Sequence, residues 1–122
     1  MTVARKLQIP PASTVVVLGS PTDIDLEIPD DCLVLSDPAA AKEAQTVISF
    51  LVRAEDLDEV AGPAIEAARE DRLSWIAYPK ARQLGTDLNR DVLARLVEAR
   101  GAQPVRSVAI DAVWSSLRFR PL

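Results

Sequence analysis

Histidine is missing from the 122 residues, and the chain has one cysteine and only four glycines. Without histidine, the serine–histidine and cysteine–histidine catalytic pairs are excluded. With a single cysteine as well, neither a disulfide within the chain nor the usual zinc and transition-metal sites can be built, and no metal is expected. Cys32 opens the apolar run Cys32-Leu33-Val34-Leu35, which predicts a buried, inert thiol. Aromatics are also few. Phe50, Trp75, Tyr78, Trp114 and Phe119 are the whole set, so the core must be mainly aliphatic. Nowhere do about 18 apolar residues run together, as a membrane span requires, and Met1 to Ile9 is basic without a long apolar stretch after it. A cytoplasmic location away from membranes is therefore expected. An excess of positive charge is lacking too. The net charge is −4 and the isoelectric point about 4.8, so nucleic acid is not an expected partner. The one local exception, Arg106, Arg118 and Arg120, reads as a solvated face.

Scarce glycine also bears on cofactors. A dinucleotide or adenosyl site in a nucleotide-binding sheet needs glycines after the first strand, so that backbone can approach the ligand. Here the corresponding turn is Gly19-Ser20-Pro21-Thr22, a lone glycine followed closely by proline. NAD, S-adenosylmethionine and other cofactors are not expected. Asp37 lies 18 residues after Gly19, where a ribose-binding acid would fall, but Asp37-Pro38 reads more simply as a turn opening.

What is present is a succession of short apolar runs separated by helical patterns. Thr14 to Leu18 and Val47 to Val52 are apolar on both faces, as strands buried on both sides must be. Cys32 to Ser36 and Leu73 to Tyr78 add two further strands. Ser20 to Asp31 carries two prolines and five acidic residues and reads as a loop, with Ile24, Leu26 and Ile28 at alternate positions. Ala39 to Gln45 predicts two helical turns. Leu57, Val60, Ala61, Ala64, Ile65 and Ala68 have the spacing of an amphipathic helix, which Gly62-Pro63 should kink or split. Thr86 to Arg100 predicts the best helix, with Thr86 as its N-cap and Gly101 as its stop. The last two runs, Val105 to Ile110 and Ser115 to Phe119, are joined by a link too short for a crossover helix and must form a hairpin. The expectation is one α/β domain over residues 1–122, a small Rossmann-like, mostly parallel sheet ending in an antiparallel hairpin.

The stretches Trp75-Ile76-Ala77-Tyr78-Pro79-Lys80, Thr86-Asp87-Leu88 and Asp111-Ala112-Val113-Trp114-Ser115-Ser116-Leu117-Arg118-Phe119 carry a resemblance, as does Arg5-Lys6-Leu7-Gln8-Ile9. With them the chain resembles a bacterial family of small domains of unknown function. The resemblance implies a trimmed methyltransferase-like fold and carries no activity with it.

Four residues stand out as ligand-binding candidates: Lys80, Thr86, Asp111 and Trp114. Lys80 follows the fourth strand at the carboxyl edge of the sheet, where open α/β folds bind ligands. Thr86 would begin a helix whose free amides could hold an anion beside it. Asp111 and Trp114 sit at the hairpin tip, where an indole could wall a cleft. Against this, an exposed lysine, a turn aspartate and a core tryptophan explain the same residues without a ligand. Ser115 and Ser116 have no base to activate them, and no catalytic residue is identified. The acidic stretch Glu55, Asp56, Asp58 and Glu59 reads as a solvated helix start. The leading expectation is thus a non-catalytic binding or protein-interaction module, its partner another protein or a second copy of itself. The alternative is a protein or enzyme that binds a small anionic metabolite at the carboxyl edge.

Overall fold

The computed structural model describes residues 1–122. A short helix, α1 (Val3–Lys6), is capped by the Thr2 hydroxyl, which accepts the Arg5 amide at 3.2 Å, and it ends before Pro10-Pro11. Six strands follow: β1 (Thr14–Leu18), β2 (Leu33–Leu35), β3 (Thr46–Phe50), β4 (Leu73–Pro79), β5 (Ala102–Ala109) and β6 (Trp114–Pro121). They form one mixed sheet in the order β2-β1-β3-β4-β6-β5. The first four in that order are parallel, and β6 runs antiparallel to both β4 and β5. The carboxyl ends of β1 to β4 and the hairpin tip therefore share one edge of the sheet.

Alternation along each strand feeds two cores. Val16, Val47, Ile76, Leu117 and Phe119 face one side, under α2 (Leu57–Arg69) and α3 (Arg90–Glu98). Val15, Ile48, Phe50, Trp75 and Trp114 face the other, where the cover is only α1, Ile9 and the Ile24 to Ile28 loop. Burying large apolar side chains on both faces, at about 1.5–3 kcal/mol each, is what holds so short a sheet together. Trp75 is the main anchor of the thinner side: it is fully buried, and its indole N–H donates to the Leu7 carbonyl at 2.9 Å.

Four local expectations need correction. Helix α2 runs unbroken through Gly62-Pro63. Pro63 cannot bond the Glu59 carbonyl, yet two buried strand serines fasten the helix to the sheet: Ser49 donates to the Val60 carbonyl at 3.1 Å and Ser74 to that of Ala64 at 2.6 Å. Helix α3 starts later than expected, with Asn89 as N-cap accepting the Val92 amide at 2.8 Å, so Thr86 caps no helix. In place of two α-helical turns, Pro38–Lys42 is a single 3-10 segment, opened by the Asp37 carboxylate accepting the Ala39 amide at 2.9 Å. Finally, β2 is a marginal strand of three residues, and Cys32 is half-buried, its thiol directed at the Pro10 carbonyl at 3.4 Å. An edge strand lacks a second neighbour to cover it.

Candidate functional site

Lys80, Asp111 and Trp114 come together at the carboxyl edge, joined by the register that pairs Pro79 with Trp114. Their polar groups bind one another. The Lys80 ammonium donates to the Asp111 carbonyl at 2.6 Å, and the Lys80 amide donates to the Val113 carbonyl at 2.7 Å. The Asp111 carboxylate accepts the amides of Val113 and Trp114 at 2.8 and 2.7 Å, which shapes the hairpin turn. Trp114 is buried, its ring meeting Phe50 edge-on with centroids 5.1 Å apart. Lys80 is half-buried, a staple between β4 and the hairpin, where the sequence suggested an exposed loop side chain.

Thr86 is buried in a separate contact. Its hydroxyl donates to the Val52 carbonyl and accepts the Leu88 amide at 3.0 Å. Next to it, Arg53 donates to the Gly85 carbonyl at 2.8 Å and the Asp87 carboxylate accepts the Ala54 amide at 2.9 Å. The loop after β4 is thus closed onto the loop after β3, and its amides are not the start of a helix.

Gly19 explains why the crevice between β1 and β3 is also closed. Its φ of +69° is left-handed, and a Cβ there would lie 2.7 Å from the Phe50 carbonyl oxygen and 3.3 Å from a Val60 methyl. The room that glycine leaves is taken by the protein's own backbone.

The open feature lies further along the same edge. A cleft of about 470 Å³ sits at the ends of β1 and β2, and six of its nine lining residues are apolar. Val17 forms one wall, Ile24, Leu26 and Ile28 a second, and Val34 with Leu35 a third, while Ser20, Asp25 and Ser36 contribute the polar atoms. Glu27 shapes the loop, with φ of +56°, its amide donating to Asp25 at 2.8 Å and its carboxylate accepting the Val3 amide at 2.9 Å. Beside the cleft, Leu33 is 57% and Val34 46% exposed. The Leu33 amide bonds Ser13 on the β1 side at 3.0 Å, so by the alternation of a strand the Val34 peptide groups point outward to an open edge. Between Gln8 and Ala41 there are six acidic residues and no lysine or arginine, so this margin is also negatively charged. Only the alternation of Ile24, Leu26 and Ile28 hinted at the cleft in the sequence.

A second cleft, of about 350 Å³, lies between Pro38–Lys42 and α2. Its Arg72 guanidinium is already committed to the Ala41 and Ala44 carbonyls at 2.6 and 2.8 Å and to Glu70. No group of three or more acidic or cysteine side chains is arranged to hold a metal ion, and no helix is long and apolar enough to cross a membrane. The chain matches no family model and no curated protein.

Proposed function

We propose that the protein is a non-catalytic interaction module on a trimmed Rossmann-like, methyltransferase-like scaffold, and that it takes an extended apolar and basic segment of a partner protein along β2. The observation that carries this is the β2 margin: outward-facing peptide groups, exposed Leu33 and Val34, and an apolar cleft, all within an acidic rim. Natural sheets cover such edges or set charged residues or proline within the edge strand unless it is used, and Leu33-Val34-Leu35 has neither; an added strand draws its affinity from main-chain bonds and its specificity from pockets. The rim selects basic flanking residues. The strand order supports the scaffold reading, with a reversed strand inserted next to the last one, and so does the Gly19 turn, whose space Phe50 occupies in place of a cofactor. A second copy of the chain would bring the same acidic rim to the contact and be repelled.

The test is titration of isotope-labelled protein with a short synthetic peptide alternating valine and lysine, followed by amide NMR. Val34, Leu35 and the Ile24 to Ile28 loop should shift, and the shifts should weaken with salt and vanish in Val34→Asp. A valine–glutamate peptide should leave the spectrum unchanged. Shifts located elsewhere, or the same residues shifting with protein concentration alone, would overturn the assignment.

A further inference from the structure

At the other end of the sheet, Trp75, Arg118 and Arg106 stand in one row across β4, β6 and β5, as directly opposed residues. Opposed side chains in an antiparallel pair share a face, a few ångströms apart, and like charges placed so are destabilising. Neither guanidinium has a carboxylate partner. The carboxylate of Asp71 is already held by Arg120 in a fork of 3.0 and 3.2 Å. Arg118 is nevertheless held in place: one terminal nitrogen donates to the Gln8 side-chain carbonyl at 2.9 Å, and Gln8 follows Leu7, whose carbonyl holds Trp75. Its Nε is buried without any hydrogen-bond partner. Two directly opposed cations, one of them fixed in place and neither bonded to a carboxylate, are a place where a bound anion restores the balance.

We propose that Arg106 and Arg118 form a binding site for a small doubly charged oxyanion of the phosphate class. Arg118, fixed by Gln8 through one terminal nitrogen, offers the other to the ligand, and the exposed Arg106 closes over it from the neighbouring strand. The ligand is small because the protein as a whole is net negative, with its acidic margin at the opposite end of the sheet, which repels a long polyanion and tolerates a compact one. This site is independent of the β2 margin, and either assignment can fail without the other.

The experiment measures binding of inorganic phosphate and of glycerol phosphate by calorimetry, and thermal midpoints in phosphate against chloride at equal ionic strength. The wild type should bind and its midpoint should rise in phosphate. Tighter binding of glycerol phosphate than of inorganic phosphate assigns the site to a phosphomonoester, and the reverse to the free ion. Arg106→Gln, on an exposed strand position, should fold normally, be no less stable than wild type in chloride, and lose about tenfold or more in affinity, as for one charge-assisted hydrogen bond. Arg118→Lys keeps a charge but loses the planar guanidinium that Gln8 holds in place, and should weaken binding similarly. An equal response to phosphate in wild type and both variants, no binding at millimolar phosphate, or tighter binding of a single-stranded oligonucleotide than of either small ligand would overturn the proposal.

Discussion

β2, at one margin of the sheet, has three residues and leaves Leu33 and Val34 open to solvent, whereas β6, with eight residues between β4 and β5, buries Trp114, Ser116, Leu117 and Phe119. By composition β2, Leu33-Val34-Leu35, is the more apolar of the two, since β6 carries two serines and two arginines. The strands differ in what the chain places around them. The parallel strands β3 and β4 are joined through the full-length helix α2, and α3 follows β4, so that half is covered, and its carboxyl edge is closed by the Lys80 staple and the Thr86 contact. The connections into and out of β2 are the irregular Gly19 to Cys32 segment and the 3-10 segment Pro38–Lys42, neither of which supplies an α-helix to pack over its edge. Openness follows from the connections, and strand composition does not reveal it.

The largest test of that contrast is a set of three substitutions at two positions, read by urea denaturation. Trp75→Ala removes a fully buried ring and frees the Leu7 carbonyl, and should cost about 3–5 kcal/mol, enough to threaten folding. Trp75→Phe keeps most of the volume, loses the hydrogen bond, and should cost roughly 1–3 kcal/mol. Val34→Asp at the open margin should cost less than about 0.5 kcal/mol. Similar losses at the two positions would show that the β2 margin is as much a part of the core as β4.

A smaller difference is expected between two left-handed glycines. Gly85 has φ of +67° and open space around it, so Gly85→Ala carries only the backbone strain of about 1–2 kcal/mol. At Gly19 the same strain is joined by the collision with the Phe50 carbonyl, so Gly19→Ala should cost clearly more. Equal costs, measured by the same unfolding curves, would mean that the β1 to β3 crevice has room to give.

How much of this was legible beforehand varies by element. β1, β3 and β4 announce themselves because both faces are apolar, and the structure places each within a few residues of its expected bounds. The hairpin is equally readable from its short link. The start of α3 is not, because Thr86 and Asn89 are both good capping residues three apart, and only the buried Val52 carbonyl decides which one is taken elsewhere. Pro63 misleads for a related reason, since Ser49 and Ser74 are remote in sequence from the helix they fasten. Spacing suggests that Lys80, Thr86, Asp111 and Trp114 share one edge, and Lys80, Asp111 and Trp114 do meet there, but a sequence cannot show that a lysine and a turn satisfy each other. The cleft and the arginine row depend on which strands are neighbours, which spacing does not encode.

The smallest effect concerns pH. Hydrogen bonds from Arg100 and Arg120 hold the carboxyls of Asp58 and Asp71 below the usual carboxylate range, with the same guanidinium charges adding to the effect. A depressed folded value means that the stabilisation is complete above the ordinary carboxylate value of about 3.9 and is lost as pH falls through the lower, folded one. Both pairs lie in the covered half, one between α2 and the end of α3, the other between the turn after α2 and β6. Between about pH 5 and 8 the thermal midpoint should be nearly flat, since there is no histidine to titrate. Below about pH 4 it should fall, and fall less in the Asp58→Asn, Asp71→Asn double variant, which has given up those pairs already. Hydrogen exchange in acid should rise first in α3 and β6; a first rise at β2 would reverse the assignment.

Because β6 is inserted between two strands that precede it in the chain, truncation would not act here as it does on a sheet that adds strands in order. Cutting the chain after Val113 would take away an interior strand, leave β4 with an unpaired edge and detach β5 altogether, since β5 has β6 as its only neighbour. The last eight strand residues, Trp114–Pro121, are therefore the seam of the molecule, and a shortened product would be unfinished, not smaller.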